Sequence, residues 1–430
     1  MALRMILFGT LMTTLLGGGA WLVARRFWPS GRPEALRRAW GVFVLLLVLP
    51  APVSFLLLRS GAPAGAREAL HWWAYLGMGT FSLLFAGVLV LELGRWVARR
   101  IAAPVDPARR AFFGVVAEGG VLAAVGTVVT LGYAEARRIA RVKEVEVSIA
   151  GLPASLAGFR IVQLTDVHVG PTIRRDYLQG IVDRVNELSA DMVAITGDLM
   201  DGTVEGLRED MAPLGTLKSR HGTFFCTGNH EYYSGVEPWL VHLATLGVRP
   251  LVNAHAVLDH DGAPVVVAGV TDHSAARMMS AHASDAVAAA RGAPPAPLRL
   301  LLAHQPRSAF AAAATGAFDL QLSGHTHGGQ YVPWTFFIGL VQPFATGLHR
   351  LEKMWIYTSR GTGYWAAHPA RFAGRDYASK DGSCIVCRWV TQRRGWPVRG
   401  AGLGRARAAA PGHPHHPRHR LRADRHRSGL

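Results

Sequence analysis

"FDLQLSGHTHGGQ", residues 318–330, runs from alternating apolar positions into two histidines one residue apart among three glycines. Its first half reads as a buried strand, by its period of two and its turn-forming end. A histidine buried for packing needs neither an imidazole neighbour nor so much backbone freedom. The ends of other strands explain the pattern. "FRIVQLT" (159–165) is followed by Asp166 and His168, and "DMVAIT" (191–196) by Gly197, Asp198 and then Asp201. "GTFFCT" (222–227) leads to Gly228, Asn229, His230 and Glu231, and "LRLLLA" (298–303) to His304. With His325 and His327, five strand ends in turn deliver oxygen or imidazole donors. Ligands of α/β sheets bind at the carboxyl ends of strands, so donors spread over about 160 positions can converge. Taken singly, each histidine reads as an ordinary surface or core residue. Five strand ends in succession do not.

Asp, Asn and His are borderline-hard donors that suit Mn, Fe or Zn. Seven such donors exceed what one ion with open positions takes. They fit two ions sharing a bridging carboxylate, ~3.5–4 Å apart, an arrangement that clamps a phosphoryl group.

The strand ends belong to a longer alternation. "APVVVAG" (263–269) and "MWIYTSRG" (354–361) are further strands, while "IRRDYLQGIVDRVNELSA" (173–190) and "EPWLVHLATLG" (237–247) carry helical faces. Strands alternating with helices predict an α/β domain over 145–365. The Ala- and Pro-rich "SDAVAAARGAPPAP" (284–297) reads as a surface excursion.

Residues 1–135 are different. Four apolar stretches, Met5–Ala24, Ala39–Leu58, Leu70–Val97 and Ala111–Tyr133, each approach or exceed 20 residues, enough to cross ~30 Å of hydrocarbon as a helix. They predict a four-span anchor and a multi-pass protein of the cell membrane. Loops 25–38 and 95–110 carry five arginines each, ten against the seven cations Arg4, Arg59, Arg67, Arg137, Arg138, Arg141 and Lys143 on the other side. The excess places both termini, and the 145–365 domain, outside the cytoplasm. Glu92 and Glu118, near span ends, are expected to snorkel or to pair with Arg95.

A net charge of +17 does not indicate nucleic acid, because ten Arg against one Asp fall in residues 391–430 and much of the rest in membrane loops. No basic stripe interleaved with aromatics occurs between them. The three cysteines (Cys226, Cys384, Cys387) give no disulfide framework, and a lone C-x-x-C is weak evidence for zinc.

The blocks "DVH", "GDLMD", "GNHE", "AHQP" and "GHTHGGQ" resemble the five signature blocks of the calcineurin-like metallophosphoesterase superfamily, over roughly residues 159–365. The Gly-Gly-Gln ending resembles its bacterial membrane-associated branch. The resemblance implies a four-layer α/β/β/α sandwich with a dinuclear metal site. Position by position, it assigns Asp166, His168 and His327 to one metal, Asn229, His304 and His325 to the other, and Asp198 to both. His230 would protonate the leaving oxygen, oriented by Asp201. The histidines His221, His242, His255, His260, His273 and His282 match no block and read as surface residues.

After "GTGYW" the sequence departs from relatives of this branch, which continue with Pro-Pro, "RLG", a further Pro and a strand beginning Glu-Ile-Thr. This chain has "AAHPARFAGRDYA". Codons allowed for that stretch, read one nucleotide later, give P-P-I-R-L-G-S-P-A-E-I-T. A frameshift near Trp365 is therefore the reading here, with an anionic-lipid-binding basic tail as the alternative. Residues 366–430 are then expected to be a disordered tail, since Pro, Arg, Ala and His at this density bury too little apolar surface to offset ordering entropy. "SCIVCRWV" (383–390) is the one segment able to pair, as a makeshift edge strand, and the sheet otherwise lacks its last strand.

The functional expectation is a membrane-anchored, dinuclear metal-dependent hydrolase of a phosphoester or pyrophosphate, with a lipid-linked or envelope substrate and no nucleic-acid partner. The alternatives are a tethered nucleotide or cyclic-nucleotide phosphodiesterase, and a degenerate domain acting as receptor or scaffold.

Overall fold

Apolar runs of membrane-spanning length form helices because only a helix satisfies their backbone groups within the segment. In the computed structural model, which describes residues 14, 16–27, 33–57, 64–101, 106–329, 334–364 and 383–389, residues 16–26 are helical (α1). Then follow α2 (Glu34–Val48), α3 (Pro50–Leu57), α4 (Ala64–Ile101) and α5 (Pro107–Ala136). Pro50, lacking an N–H, divides the second expected span. The Val53 N–H still reaches the Leu49 carbonyl at 3.3 Å, so the chain stays helical across the break. Asp106 starts α5, its Oδ1 accepting the Ala108 and Arg109 N–H groups at 2.8 and 3.0 Å.

Among the described residues three helices, Glu34–Ser54, Glu68–Ile101 and Pro107–Ala136, are long and apolar enough to cross a membrane. Residues 5–13 and 15 of the first expected span lie outside the described residues. The pairing of Arg95 with Glu92 and Glu118 occurs at 3.4 and 3.5 Å. A further partner is Arg26, nearly buried, which meets Glu92 at 3.0 Å and also Glu118. Three helices are thereby tied by opposite charges, the usual state of ionised groups at membrane depth.

The described residues from Arg141 onward contain two six-stranded sheets. The first contains β1 (Arg141–Val147), β2 (Arg160–Leu164), β3 (Met192–Ile195), β4 (Thr223–Phe225) and β5 (Val248–Pro250). The second contains β6 (Ala254–His260), β7 (Ala263–Gly269), β8 (Leu298–Leu302), β9 (Leu320–Ser323), β10 (Gly347–Leu351) and β11 (Met354–Thr358). A last strand, β12 (Ser383–Trp389), joins the first sheet, giving the orders β1-β12-β2-β3-β4-β5 and β10-β11-β9-β8-β7-β6.

Inner strands such as β3 and β8 carry mainly apolar side chains on both faces, as strands covered on both sides do, with Gln163 of β2 and Gln321 of β9 buried among them. Met192 and Ala194 of β3 face the second sheet, where Leu298, Leu300 and Leu302 of β8 and Leu320 and Leu322 of β9 meet them. Val193 and Ile195 point the other way, onto α6 (Arg175–Asn186), α7 (Val204–Met211) and, beyond α8 (Asn229–Ser234), α9 (Val236–Thr245). Leu301 turns outward onto α10 (Ala286–Ala290) and α11 (Ala309–Thr315). The four-layer α/β/β/α order is present, and β2–β3–β4 and β8–β9 all run parallel within their sheets.

The seven strands expected from the sequence all form. The excursion at 284–297 contains α10, whose Ala286 and Ala289 are buried. Two further expectations are corrected. The catalytic sheets reach beyond 145–365, to Arg141 at one end and to 383–389 at the other. β12 is not an edge strand: it pairs in parallel with β1 and antiparallel with β2, so the sheet does not want for a strand there. Residues 365–382 and 390–430, where the frameshift and disordered-tail readings fall, lie outside the described residues.

Ile385 is paired on both sides, with Lys143 and Gln163. Proline at this internal position removes a ladder donor and should lower stability by about 2–4 kcal/mol. Proline at Arg141, the first residue of an edge strand, should change it little. Thermal unfolding of the two variants checks the internal placement of β12.

Candidate metal centre

Because β2, β3, β4, β8 and β9 end on the same edge of the sandwich, their following residues converge. Asp166 and His168 come from the loop after β2, Asp198 and Asp201 from that after β3, and Asn229 and His230 from the start of α8 after β4. His304 follows β8, and His325 and His327 follow β9. All nine expected site residues are therefore brought to one place.

The contacts fall into linked groups. His327 Nε2 lies 3.3 Å from Asp166 Oδ1 and 3.1 Å from His168 Nε2. His304 Nε2 lies 3.0 Å from Asp198 Oδ2, and the His304 and His325 rings meet edge to face at 5.1 Å. Asp198 Oδ2 also stands 4.0 Å from His168 Nε2 and 3.9 Å from His230 Nε2. Three sets of donor atoms each lie within 4.8 Å of one another: Asp166, His168 and His327; His168, Asp198 and His230; Asp198, His304 and His325.

The donors fit metal ions on two grounds. The buried Asn229 Oδ1 has no hydrogen-bond partner among the described residues, a costly state unless something else binds it. Two imidazole Nε2 atoms at 3.1 Å cannot both present lone pairs to each other without a cation or proton between them.

The backbone is bent to this purpose. Asp166, His168, Asp198, His325 and His327 all have positive φ, between 47° and 72°. Such conformations cost non-glycine residues about 1–3 kcal/mol each and persist where the surroundings over-determine them. Gly228 and Gly324 supply the close approaches, since a Cβ on either would strike the Asp198 and Asp166 carboxylates respectively. The His325 N–H in turn donates to Asp166 Oδ1 at 2.9 Å.

Charge follows geometry. Burial disfavours ionised Asp198, yet His304, His230 and His168 hold its carboxyl well below the usual range. Burial lifts Asp166, against the pull of His304. His304 is buried too, but Asp198 keeps its imidazolium well above the ordinary value. Burial and the charge of His304 push His325 down to about 4. For His230, burial is outweighed by the Asp201 hydrogen bond and the charges of Asp198 and Asp201, which raise it to about 9. Its Nδ1 lies 2.6 Å from Asp201 Oδ1, and Asp201 is shared with His168 Nδ1 at 3.3 Å.

Sequence reasoning passed over two supporting carboxylates. Glu231 is fully buried and accepts the N–H groups of Asp198 (3.0 Å), Leu199 (2.7 Å) and Gly228 (2.5 Å), holding the β3 and β4 loops together. Asp272 accepts Gln305 Nε2 at 3.1 Å on both oxygens, and so fixes the residue after His304. It follows the end of β7, so the rule that found the other five strand ends could have found it. Among the histidines read as surface residues, His260 is buried and paired with His221 at 2.9 Å.

Carboxylates and imidazoles at the strand ends of an α/β/β/α sandwich define a metal-dependent phosphoester hydrolase. Residues 159–329 match the calcineurin-like phosphoesterase family. A transmembrane protein with a metallophosphoesterase domain from Danio rerio is 36% identical over 360 residues, covering 80% of each chain. Its namesake from Bos taurus is 36% identical over 70% of this chain and 71% of its own. An uncharacterized metallophosphoesterase of Helicobacter pylori is 38% identical over 56% of this chain and 63% of its own. The chain belongs to the calcineurin-like metallophosphoesterase family, and it carries apolar helices as its transmembrane relatives' names imply.

Truncating Glu231 to alanine orphans three buried N–H groups. Stability should fall by about 3 kcal/mol or more, and metal content should fall with it as the Asp198 backbone relaxes. Gly228→Ala should lose metal with a smaller change in unfolding midpoint. Calorimetry and elemental analysis of the two variants separate the effects.

Proposed function

We propose that the protein is a membrane-anchored, dinuclear phosphoesterase whose catalytic domain lies outside the cytoplasm and whose substrate is a phosphoester or pyrophosphate, lipid-linked in the membrane. Asp166, His168 and His327 would hold one divalent ion, Asn229, His304 and His325 the other, and Asp198 both. The observation that carries this reading is the Asp198 carboxylate, within reach of both donor groups at once. Mn, Fe and Zn all suit these donors. Two such ions supply Lewis acidity at the phosphoryl group and acidify water.

The chain's own groups account for the rest. His230 presents Nε2 to the site while Asp201 holds Nδ1. The imidazolium can thus give its proton to a departing alkoxide from a fixed direction. Burial around Asp166, Asp198 and His304 lowers the local dielectric, which strengthens every charge contact with a phosphoryl group in transit.

Orientation is read from the arginines. Arg95, Arg99, Arg100, Arg109 and Arg110 flank the connection from α4 to α5, and the other end of α5 leads into β1. The positive-inside rule puts the connection in the cytoplasm and the catalytic domain opposite.

Two experiments test the proposal. Asp198→Ala should abolish metal loading and activity together. His230→Ala should keep metal content while slowing turnover of poor leaving groups by a factor on the order of 10²–10⁴, and much less for p-nitrophenolate. Equal loss on both would make His230 a phosphate-positioning residue. A panel of bis-p-nitrophenyl phosphate, nucleotides and phospholipids on metal-reconstituted protein separates lipid from nucleotide substrates. For topology, a cysteine at exposed Val257 should react with an impermeant reagent on intact cells. Protection until the cells are opened would reverse the orientation.

A further inference from the structure

Straight after the loop bearing His325 and His327, the described chain resumes as a 3-10 turn, Trp334–Phe336, and a short helix, α12 (Ile338–Val341). Phe336 is 76% exposed, Leu340 82% and Val341 66%, with Phe337 and neighbouring Phe310 also in the open. Scattered exposed apolar side chains are ordinary, but a cluster of this size marks a contact surface.

The segment is tied to the metal centre at both ends. Thr335 Oγ1 donates to the Gly329 carbonyl, two residues past His327. Arg307, three residues past His304, donates to the Val341 carbonyl at 3.1 Å. Beside it opens a cavity of about 650 Å³ between Phe310 and Leu340, with Arg307 and His273 in its wall. The Arg307 guanidinium above an apolar floor matches a phosphate head carried on acyl chains.

What covers this surface follows from the chain itself. Only Arg137–Ala140 separate α5 from β1, a reach of roughly 14 Å when extended. The catalytic domain therefore stays at the bilayer. The anchor also abuts the catalytic edge. Ala136 of α5 lies in the same buried cluster as Val167, Val169 and Tyr364, and Trp72 and Tyr75 of α4 pack against that cluster. Next to Tyr364, the Gly363 N–H donates to the Asp166 carbonyl at 3.1 Å, so the cluster touches the metal-site backbone.

We propose that residues 334–341 enter the bilayer surface beside the metal centre, and that the phosphoester cleaved is the head group of a membrane lipid. The second half rests on the phosphoesterase reading above; the first half does not. Interfacial residence of such a segment scales with the apolar area it buries and with basic neighbours meeting anionic lipid.

The test uses the full chain reconstituted in vesicles of phosphatidylcholine and phosphatidylglycerol. A Leu340→Cys variant carries an environment-sensitive dye, with Val257→Cys as a water-exposed reference and the parent chain as labelling background. Lipids bearing a doxyl quencher on the acyl chain should quench the dye at 340 and not at 257. An unquenched dye at 340 overturns the membrane contact, including the case of a second copy of the chain covering the patch. The double variant Phe336→Ser/Leu340→Ser should lose about tenfold or more of its turnover of vesicle-borne phospholipid, with soluble bis-p-nitrophenyl phosphate turned over as by the parent. Equal loss on both substrates, or none on lipid, overturns the lipid assignment. If the parent hydrolyses neither substrate, the phosphoesterase reading itself has failed, and the quenching result still decides the membrane contact.

Discussion

The Asp198 carboxylate stands 3.0 Å from His304, 3.9 Å from His230 and 4.0 Å from His168, groups carried by three other strands. It keeps this place because Glu231 fastens the Asp198 and Leu199 backbone from beneath, and because the residue opposite, Gly228, has no Cβ to push it aside. A buried anion survives only when opposite charge or hydrogen bonds surround it. Here the imidazoles around Asp198 supply that charge when protonated, and a bound metal ion would supply it in their place. The donor groups on either side of the carboxylate are organised around this requirement.

Holding five non-glycine residues at positive φ within one site needs a scaffold that does not give way. The paired sheets provide it. Their inner strands send alternate side chains into two different cores, so a one-residue slip would exchange the side chains packed in each. Strain at the loops is thus carried by packing in three separate cores, one between the sheets and one under each helix layer. This division lets the loops be irregular while their roots stay fixed.

The membrane helices are part of this arrangement rather than an appendage. Trp72 packs edge to face with Tyr133 at 5.7 Å and receives the Arg137 guanidinium at 5.8 Å, which fixes the anchor's exit against the catalytic domain. Ile139 touches Gly180 of α6 just beyond. With so short a connection the catalytic domain stays close to the apolar helices, and the edge carrying the candidate metal donors sits beside them.

The sequence by itself determined the α/β alternation and put Asp, Asn and His at successive strand ends, while the layer order followed from the resemblance of its signature blocks to a known family. Short continuous apolar runs such as "DMVAIT" and "LRLLLA" read as doubly buried strands when helical faces alternate with them, and Asp, Asn and His at their ends admit few chemistries. It also predicted helices long and apolar enough to cross a membrane, three of which are present among the described residues. What it could not determine depends on partners distant in the chain. β12 lies in a segment whose composition predicts disorder, and its internal place depends on pairing with β1 on one side and β2 on the other. Short strands such as β5, three residues long, carry too little pattern to register and exist only by pairing with β4. Glu231 stood in plain view within "GNHE", but its task of receiving backbone N–H groups from residues thirty positions away appears only when the two loops meet. The left-handed backbone of the donors belongs to the same class. No local preference of Asp or His demands it, so only the tertiary structure, by fixing both roots of each loop, could decide it.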